Sequence, residues 1–282
     1  PMLTYRGKLY GDLTVACRDE DEFMIFGSGA AQEMHRRWFE SHISKFNVKY
    51  LNRSDDFHGI SIAGPKSRDL FRKLVREDVS NESFKFRDTR RMFVAGVPAI
   101  VNRISFTGEL GYEIYVAPHF QLKLYEEIEN AGKEFNLKPF GGRALMSMRL
   151  EKSWGAWTLD FRPDFTAKES GLDIFIDWKK DFIGKKSAEK DKSNLKLTPL
   201  IVETKDIDVT NNEAVMKDGK SIGYITSGGY AHYVKKSIAY SYLDETICKS
   251  NEKFQVEING DFYDCSIIKQ PLYDPKGIKM RS

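Results

Sequence analysis

Hydrophobic and polar positions alternate along "KLYGDLTVAC" and return in "FMIFG", with the charged run "RDEDE" between them, which predicts a hairpin of two half-buried strands. In that alternation Leu9, Gly11, Leu13 and Val15 share one face, and Tyr10, Asp12 and Thr14 share the other. The spacing changes in "SGAAQEMHRRWFESHI", where Met34, Trp38 and Phe39 fall near helical intervals behind small residues, so an amphipathic helix is expected. Alternation resumes in "VKYLNRSDDFHGISIAG", read as two short strands about a polar turn, and "PKSRDLFRKLV" reads as a helix with Pro65 in its first turn. The chain is strand-rich from Asn81 to Val116, split by a turn around Gly96 and Pro98 and running into "RISFTGELGYEIYVAP". "HFQLKLYEEIENAGKEF" and "GGRALMSMRLEKSW" are the next helices. The two glycines opening the second let a helix start lie close to a ligand or another backbone.

A lysine-rich stretch, "GKKSAEKDKSNLKL", then reads as a linker. Beyond it "PLIVET", "AVMKDGKSIGYITSGGYAHYVKKSIAYSYL", "KFQVEING" and "FYDCSIIKQPLYDP" are short strands separated by Gly, Asp and Asn turns. The pattern gives an α+β body over residues 1–193 and an all-β domain, a small barrel or sandwich, over 194–282.

Composition narrows the chemistry. A chain of 282 residues with 41% hydrophobic content has room for roughly two soluble domains, each with a core. Its net charge of +3 comes from 44 basic and 41 acidic residues in mixed runs, without the basic arm that tracks a phosphate backbone. Nucleic acid is therefore not an expected partner, whereas anionic small molecules remain compatible. No apolar run reaches the roughly 18–20 residues a bilayer span needs, and no leader pattern opens the chain, so no membrane partner and a cytoplasmic location are expected. Cys17, Cys248 and Cys265 are scattered and odd in number, which suits reduced thiols. The 5 histidines show no metal-ligand spacing, and no metal is expected. "FGSGAAQ" lacks the third glycine of a dinucleotide loop, and Ser61, Ser147 and Ser227 lack a nucleophile elbow. Trp154 and Trp157 sit in a glycine-containing stretch that suits a pocket wall.

One segment asks for a partner. Glu109 and Glu113 flank Gly111 between apolar runs, and acids are rarely buried there without something to meet them. "SFTGELGYEIY", "GGRALMSMRLEKSW", "ESGLDIFIDWKKDFIGKK", "SIGYITSGGY" and "PLYDPKGIKMR" resemble, in order and spacing, the tetrahydrofolate-dependent aminomethyltransferases of the glycine cleavage T-protein family. Among its branches the resemblance is strongest to the folate-binding C-terminal half of dimethylglycine and sarcosine dehydrogenases, and it runs over essentially all 282 residues. It implies two α+β subdomains around a central cavity, followed by a C-terminal β-barrel. Family members carry more of the same module ahead of the segment that opens here, and the dehydrogenases a flavin domain before that, so a front portion is expected to be missing.

The resemblance also implies roles. Glu113 matches the glutamate that hydrogen-bonds the pterin of folate, with Tyr112 beside it, and Arg143 in "GGRA" matches an arginine near the folate, free to pair with Glu113 or with a ligand carboxylate. Glu109 either meets the ligand or orients its turn, and Phe106 stands where the family often has a tyrosine. Asp12 falls on the aspartate placed at the folate amine nitrogens, which makes it the expected catalytic acid. The implied activity is one-carbon transfer to tetrahydrofolate from a methylated amine or sulfonium donor, dimethylglycine or sarcosine first. FAD would reside only in a partner domain or subunit, and a flavoprotein partner or a homo-oligomer is expected. Two alternatives stay open: a non-catalytic folate binder, and one piece of a split enzyme. The family branch that assists iron-sulfur assembly carries a cysteine where this chain reads "KKDFIGKK".

Overall fold

The computed structural model describes residues 1–249 and 253–282. Contacts divide the chain into two compact units: the first comprises Pro1–Thr14, Ile25–Phe46 and Arg149–Tyr273, the second Val15–Met24, Asn47–Met148 and Asp274–Ser282. The first unit opens with a two-stranded antiparallel sheet, β1 (Met2–Leu3) and β2 (Leu9–Gly11). Next along the chain comes the expected hairpin, β3 (Thr14–Asp19) and β4 (Glu22–Phe26), most of which belongs to the second unit, and then the expected helix, α1 (Gln32–Ile43), of the first. The continuous strand expected over "KLYGDLTVAC" is instead interrupted at Asp12 and Leu13, because β2 pairs with β1 and β3 with β4.

The second unit is built on a four-stranded antiparallel sheet of order β5-β8-β7-β6, formed by β5 (His58–Ala63), β6 (Thr89–Val94), β7 (Val97–Asn102) and β8 (Gly111–Val116). Helices α2 (Ser67–Leu74) and α3 (Gln121–Gly132) supply Leu70, Phe71, Leu124 and Ile128 to a core shared with Ile62, Val101, Tyr112 and Ile114 of the sheet. Of the two strands expected in "VKYLNRSDDFHGISIAG" only β5 forms. Val48 and Leu51 have no strand beside them and stand exposed.

Helix α4 (Gly142–Glu151) leads back into the first unit. The lysine-rich stretch is docked there, since it forms α5 (Lys185–Glu189), whose Ser187 hydroxyl donates to the Tyr5 carbonyl at 2.9 Å. A Cβ on Gly7 would lie 2.6 Å from the Ala188 backbone nitrogen, so that approach requires glycine. The all-β part is a closed barrel. Its strands are β9 (Leu195–Val202), β10 (Ala214–Lys217), β11 (Lys220–Ala231), β12 (Lys236–Asp244), β13 (Phe254–Ile258) and β14 (Asp261–Ile267), in the order β10-β11-β12-β9-β14-β13. Closure leaves no edge strand, and inward Leu200, Val215, Ile225, Leu243 and Val256 fill the interior. Short helices α6 (Glu245–Lys249) and α7 (Ile278–Arg281) complete the described elements.

Within the first unit, Asp160 is fully buried and its carboxylate accepts from Arg149 at 2.8 Å, from the Ala156 N–H at 2.9 Å and from the hydroxyls of Thr226 and Ser227 on β11. Removing one partner of a buried ion pair leaves an uncompensated charge, so Asp160→Ala is expected to cost about 3–5 kcal/mol of unfolding free energy. The apolar pair Arg149→Met with Asp160→Leu should recover the part of that loss due to the unpaired guanidinium, while the Ala156 N–H and the Thr226 and Ser227 hydroxyls still lose their acceptor. Urea unfolding followed by tryptophan fluorescence measures both, and a double variant no more stable than Asp160→Ala would count against this account.

Candidate functional site

Strand β8 points alternate side chains to opposite faces of the sheet, and that alternation decides which of the expected residues can meet a ligand. Tyr112 lies on the helix side, fully buried, its ring stacked on Phe71 at 4.4 Å and its hydroxyl accepting from the Arg68 Nε at 3.3 Å. The expectation that Tyr112 accompanies Glu113 at a ligand is corrected on this ground: neighbours along a strand face opposite ways, and Tyr112 is a core residue. Glu113 lies on the opposite face, half-buried, with Ser61 of β5 and Asn102 of β7 as its register partners.

Glu113 accepts a hydrogen bond from the Tyr115 hydroxyl at 2.7 Å. Burial pushes its carboxyl above the ordinary value of 4.5, and the Tyr115 bond pulls the other way without cancelling it. The same burial and the adjacent carboxylate hold the Tyr115 phenol far above its usual range. Asn102 is 2% exposed; its Oδ1 accepts from the Thr89 hydroxyl at 2.6 Å, and its Nδ2 has no partner among the described residues. Tyr115 also lines a groove of about 620 Å³ with Arg18, Arg53, Arg91, Phe93 and Ile100. Glu22 ties Arg18, at 3.0 Å, and Arg91 at one side of this groove.

The remaining expected residues are placed as follows. Phe106 and Glu109 belong to the turn before β8, where Gly108 adopts φ of 83°, the Gly108 N–H donates to Ser105 Oγ at 3.0 Å and the Glu109 N–H to Thr107 Oγ1 at 3.2 Å. Both side chains are half-buried. Arg143 is exposed in the first turn of α4, and the recorded partner of Glu113 is Tyr115, not Arg143. Arg103, which sequence reasoning passed over, is the buried guanidinium here: it donates to the carbonyls of Phe84, of Arg281 at 3.1 Å and of Ser282 at 2.7 Å.

Asp12 belongs to the first unit, in the break between β2 and β3. It is half-buried, its carboxylate has no hydrogen-bond partner among the described residues, and burial raises it above the ordinary value of 3.8. His35 of α1, 5% exposed, packs on its segment, with Nε2 meeting the Tyr10 carbonyl at 3.0 Å. Nothing in the histidine spacing pointed to His35, because its partner is a backbone oxygen. Tyr115 was legible, since in "GYEIYV" it shares the parity of Glu113 and Tyr112 does not. Among the described residues no three His, Cys, Asp or Glu side chains cluster as metal ligands, and no helix is long and apolar enough to cross a membrane.

A four-stranded antiparallel sheet carrying a desolvated acid and a closed C-terminal barrel define a mixed α+β protein. The profile described as the GCVT N-terminal domain matches residues 1–180, and that of the glycine cleavage T-protein C-terminal barrel domain matches residues 196–274. The chain belongs to the glycine cleavage T-protein family. It is 36% identical over 279 residues to human mitochondrial dimethylglycine dehydrogenase, covering 96% of this chain and 32% of that protein, so it spans about a third of that relative's length. It is 28% identical over 276 residues to an aminomethyltransferase of Thermoanaerobacter pseudethanolicus, covering 96% of this chain and 74% of the relative. The crystal structure of glycine cleavage system aminomethyltransferase T from Bartonella henselae superposes with a TM-score of 0.84 at 19% identity, over 97% of this chain and 74% of that one, which establishes the shared fold.

The raised carboxyl of Glu113 has a consequence for stability. The folded state binds this proton more tightly than the unfolded chain, so the contribution is present below 4.5 and is lost as pH rises through the higher folded value. Glu113→Gln should therefore be more stable than the parent near neutrality and gain little in the acid range. Thermal melts of both proteins across that window test this, and a gain that is independent of pH would contradict it.

Proposed function

We propose that the chain binds a reduced folate through Glu113 and takes part in transferring a one-carbon unit to it. The observation that carries this reading is Glu113 itself, a desolvated carboxylate with one hydroxyl donor, on the sheet face opposite the one packed by α2 and α3. A pterin edge presents adjacent N–H donors, and charge-assisted bonds to a carboxylate satisfy both sides with directional selectivity. The orphan Nδ2 of Asn102, register partner of Glu113, adds a donor of the opposite polarity for a ring carbonyl or nitrogen. These residues fit the ligand. Phe106 offers ring surface, Glu109 is held in the turn that opens β8, and exposed Arg143 is available to a carboxylate through its planar fork.

Tetrahydrofolate would supply the amine nitrogens that receive the carbon. Asp12, desolvated and without a protein donor, would stabilise cationic character at those nitrogens or hold the proton released there. An N-methylated glycine is the proposed donor and 5,10-methylenetetrahydrofolate the proposed product, with a flavin-bearing partner domain or subunit generating the iminium. Support for that choice is the 36% identity to a dimethylglycine dehydrogenase. Holding two reactants together is itself a large part of such a rate enhancement.

Calorimetry with tetrahydrofolate should show Glu113→Ala binding more weakly by about 1.5–3 kcal/mol, the worth of a hydrogen bond to a charged group. Equal affinity for both proteins would end the assignment. Asp12→Asn should keep folate affinity and melting temperature while losing folate-coupled product formation from a flavoprotein-supplied iminium. A fully active Asp12→Asn protein that still binds folate would mark a folate binder without transfer chemistry.

A further inference from the structure

Helix α1 grips the strand that precedes Asp12 at three points. The Tyr10 hydroxyl donates to the Met34 carbonyl at 3.4 Å, the Tyr10 ring lies 4.3 Å from Trp38, and His35 Nε2 donates to the Tyr10 carbonyl at 3.0 Å. A carbonyl only accepts, so this bond fixes the proton on Nε2 and leaves Nδ1 as an acceptor. Two glycines make the approach possible. A Cβ on Gly11 would fall 2.9 Å from His35 Nε2, and one on Gly27 would fall 2.7 Å from Leu13 Cδ2 and 3.5 Å from His35 Nδ1. The residues immediately before and after Asp12 are thus both pressed against the α1 region, and Trp157 closes on His35 with ring centroids 5.7 Å apart. β1 pairs with β2 over only two residues, in an irregular register, and the Leu9 N–H donates to the Phe165 carbonyl at 2.8 Å, so beyond Leu9 the histidine bond adds a hold that the short pairing does not supply.

We propose that His35 is a positioning residue: its Nε2 bond to the Tyr10 carbonyl holds the Tyr10–Leu13 backbone so that the Asp12 carboxylate stays in its half-buried, donor-free place. His35 touches the backbone and not the reactants, and it acts through Asp12. Burial keeps the imidazole below its ordinary value and therefore neutral near neutrality, so its contribution is a fixed bond and not a charge. Among the described residues no charged side chain bears on Asp12. His35 of α1 and Tyr10 of β2 are the titratable groups packed on its segment.

The assignment rests on the proposed role of Asp12, but its first readout does not need activity. Carbon-13 titration of the Asp12 carboxyl, assigned by difference against Asp12→Asn, is compared in the 282-residue chain, in His35→Met, which has no donor, and in His35→Gln, which keeps one. The midpoint should fall toward the ordinary carboxylate range in His35→Met as the segment relaxes into water, and stay raised in His35→Gln. Gly11→Ala, which leaves the histidine in place and crowds it, should behave like His35→Met and serves if that variant fails to fold. In the folate-coupled assay His35→Met should lose roughly ten- to a hundredfold in turnover, as misplacement of a reacting group does. It should add nothing further in an Asp12→Asn background, because residues acting through one another are non-additive. An unmoved Asp12 midpoint in folded His35→Met or Gly11→Ala protein, or additive losses, would overturn the proposal. A midpoint that moves in a chain that binds no folate would uphold the positioning and refute the folate assignment.

Discussion

The barrel-containing unit depends on how one buried carboxylate is satisfied. Asp160 has no exposure, and a carboxylate taken from water without compensation is among the costliest groups a fold can hold. It is met by a guanidinium, a backbone N–H and two hydroxyls, which fills the acceptor capacity of both oxygens, while its own carbonyl takes the Tyr242 hydroxyl at 2.9 Å. Those donors come from α4, from the segment that follows it and from strands β11 and β12, so the pairing fixes the register of a long irregular stretch on a regular barrel. Arg149 extends the same connection by donating to the Trp154 carbonyl at 3.0 Å. A buried pair of this kind adds little net stability over an apolar substitute, but it penalises every arrangement in which the partners separate.

The second unit follows a different constraint, the two-sidedness of its sheet. One face of β8 gives Tyr112, Ile114 and Val116 to a core closed by α2 and α3, and the other is left with Glu113 and Tyr115. A carboxylate on that face costs stability at neutral pH, since burial raises it and Tyr115 offers a single bond in return. The cost is tolerable because the apolar face, packed against α2 and α3, carries much of the folding energy of the sheet.

What the sequence displayed was what depends on period. The β3–β4 hairpin, α1 to α4 and the strands of the barrel all announce themselves by alternation or helical spacing, and the family motifs select a closed barrel over a sandwich. The misses share a cause: they depend on partners distant in the chain. "VKYL" has strand composition but no neighbouring strand to pair with, and the lysine-rich stretch docks as α5 against a turn near the start of the chain. The exchange of Tyr112 for Tyr115 was avoidable, because parity along a strand is written in the sequence. His35 was not, since a side chain bonded to a backbone carbonyl leaves no pattern of residue types.

Hydrogen-bond supply separates the acids of this chain by purpose. Asp160 is fully buried and fully supplied, the signature of a structural ion. Glu169 is similar, buried with the Thr166 N–H at 2.6 Å and the Lys8 ammonium at 3.3 Å. Asp12 and Glu113 are only half-buried yet desolvated enough to be raised, and neither has a cationic partner side chain among the described residues. A fold that satisfies Asp160 and Glu169 this thoroughly has no shortage of donors: 44 lysines and arginines are at hand. Leaving two desolvated acids undersupplied is therefore a property of those two places, and perturbed acids held so are characteristic of sites whose missing donors arrive with a ligand. The same reasoning explains why His35 spends its one donor on a carbonyl and not on Asp12: a bond to the carboxylate would satisfy it permanently, whereas a bond to the backbone keeps it in place and leaves it open.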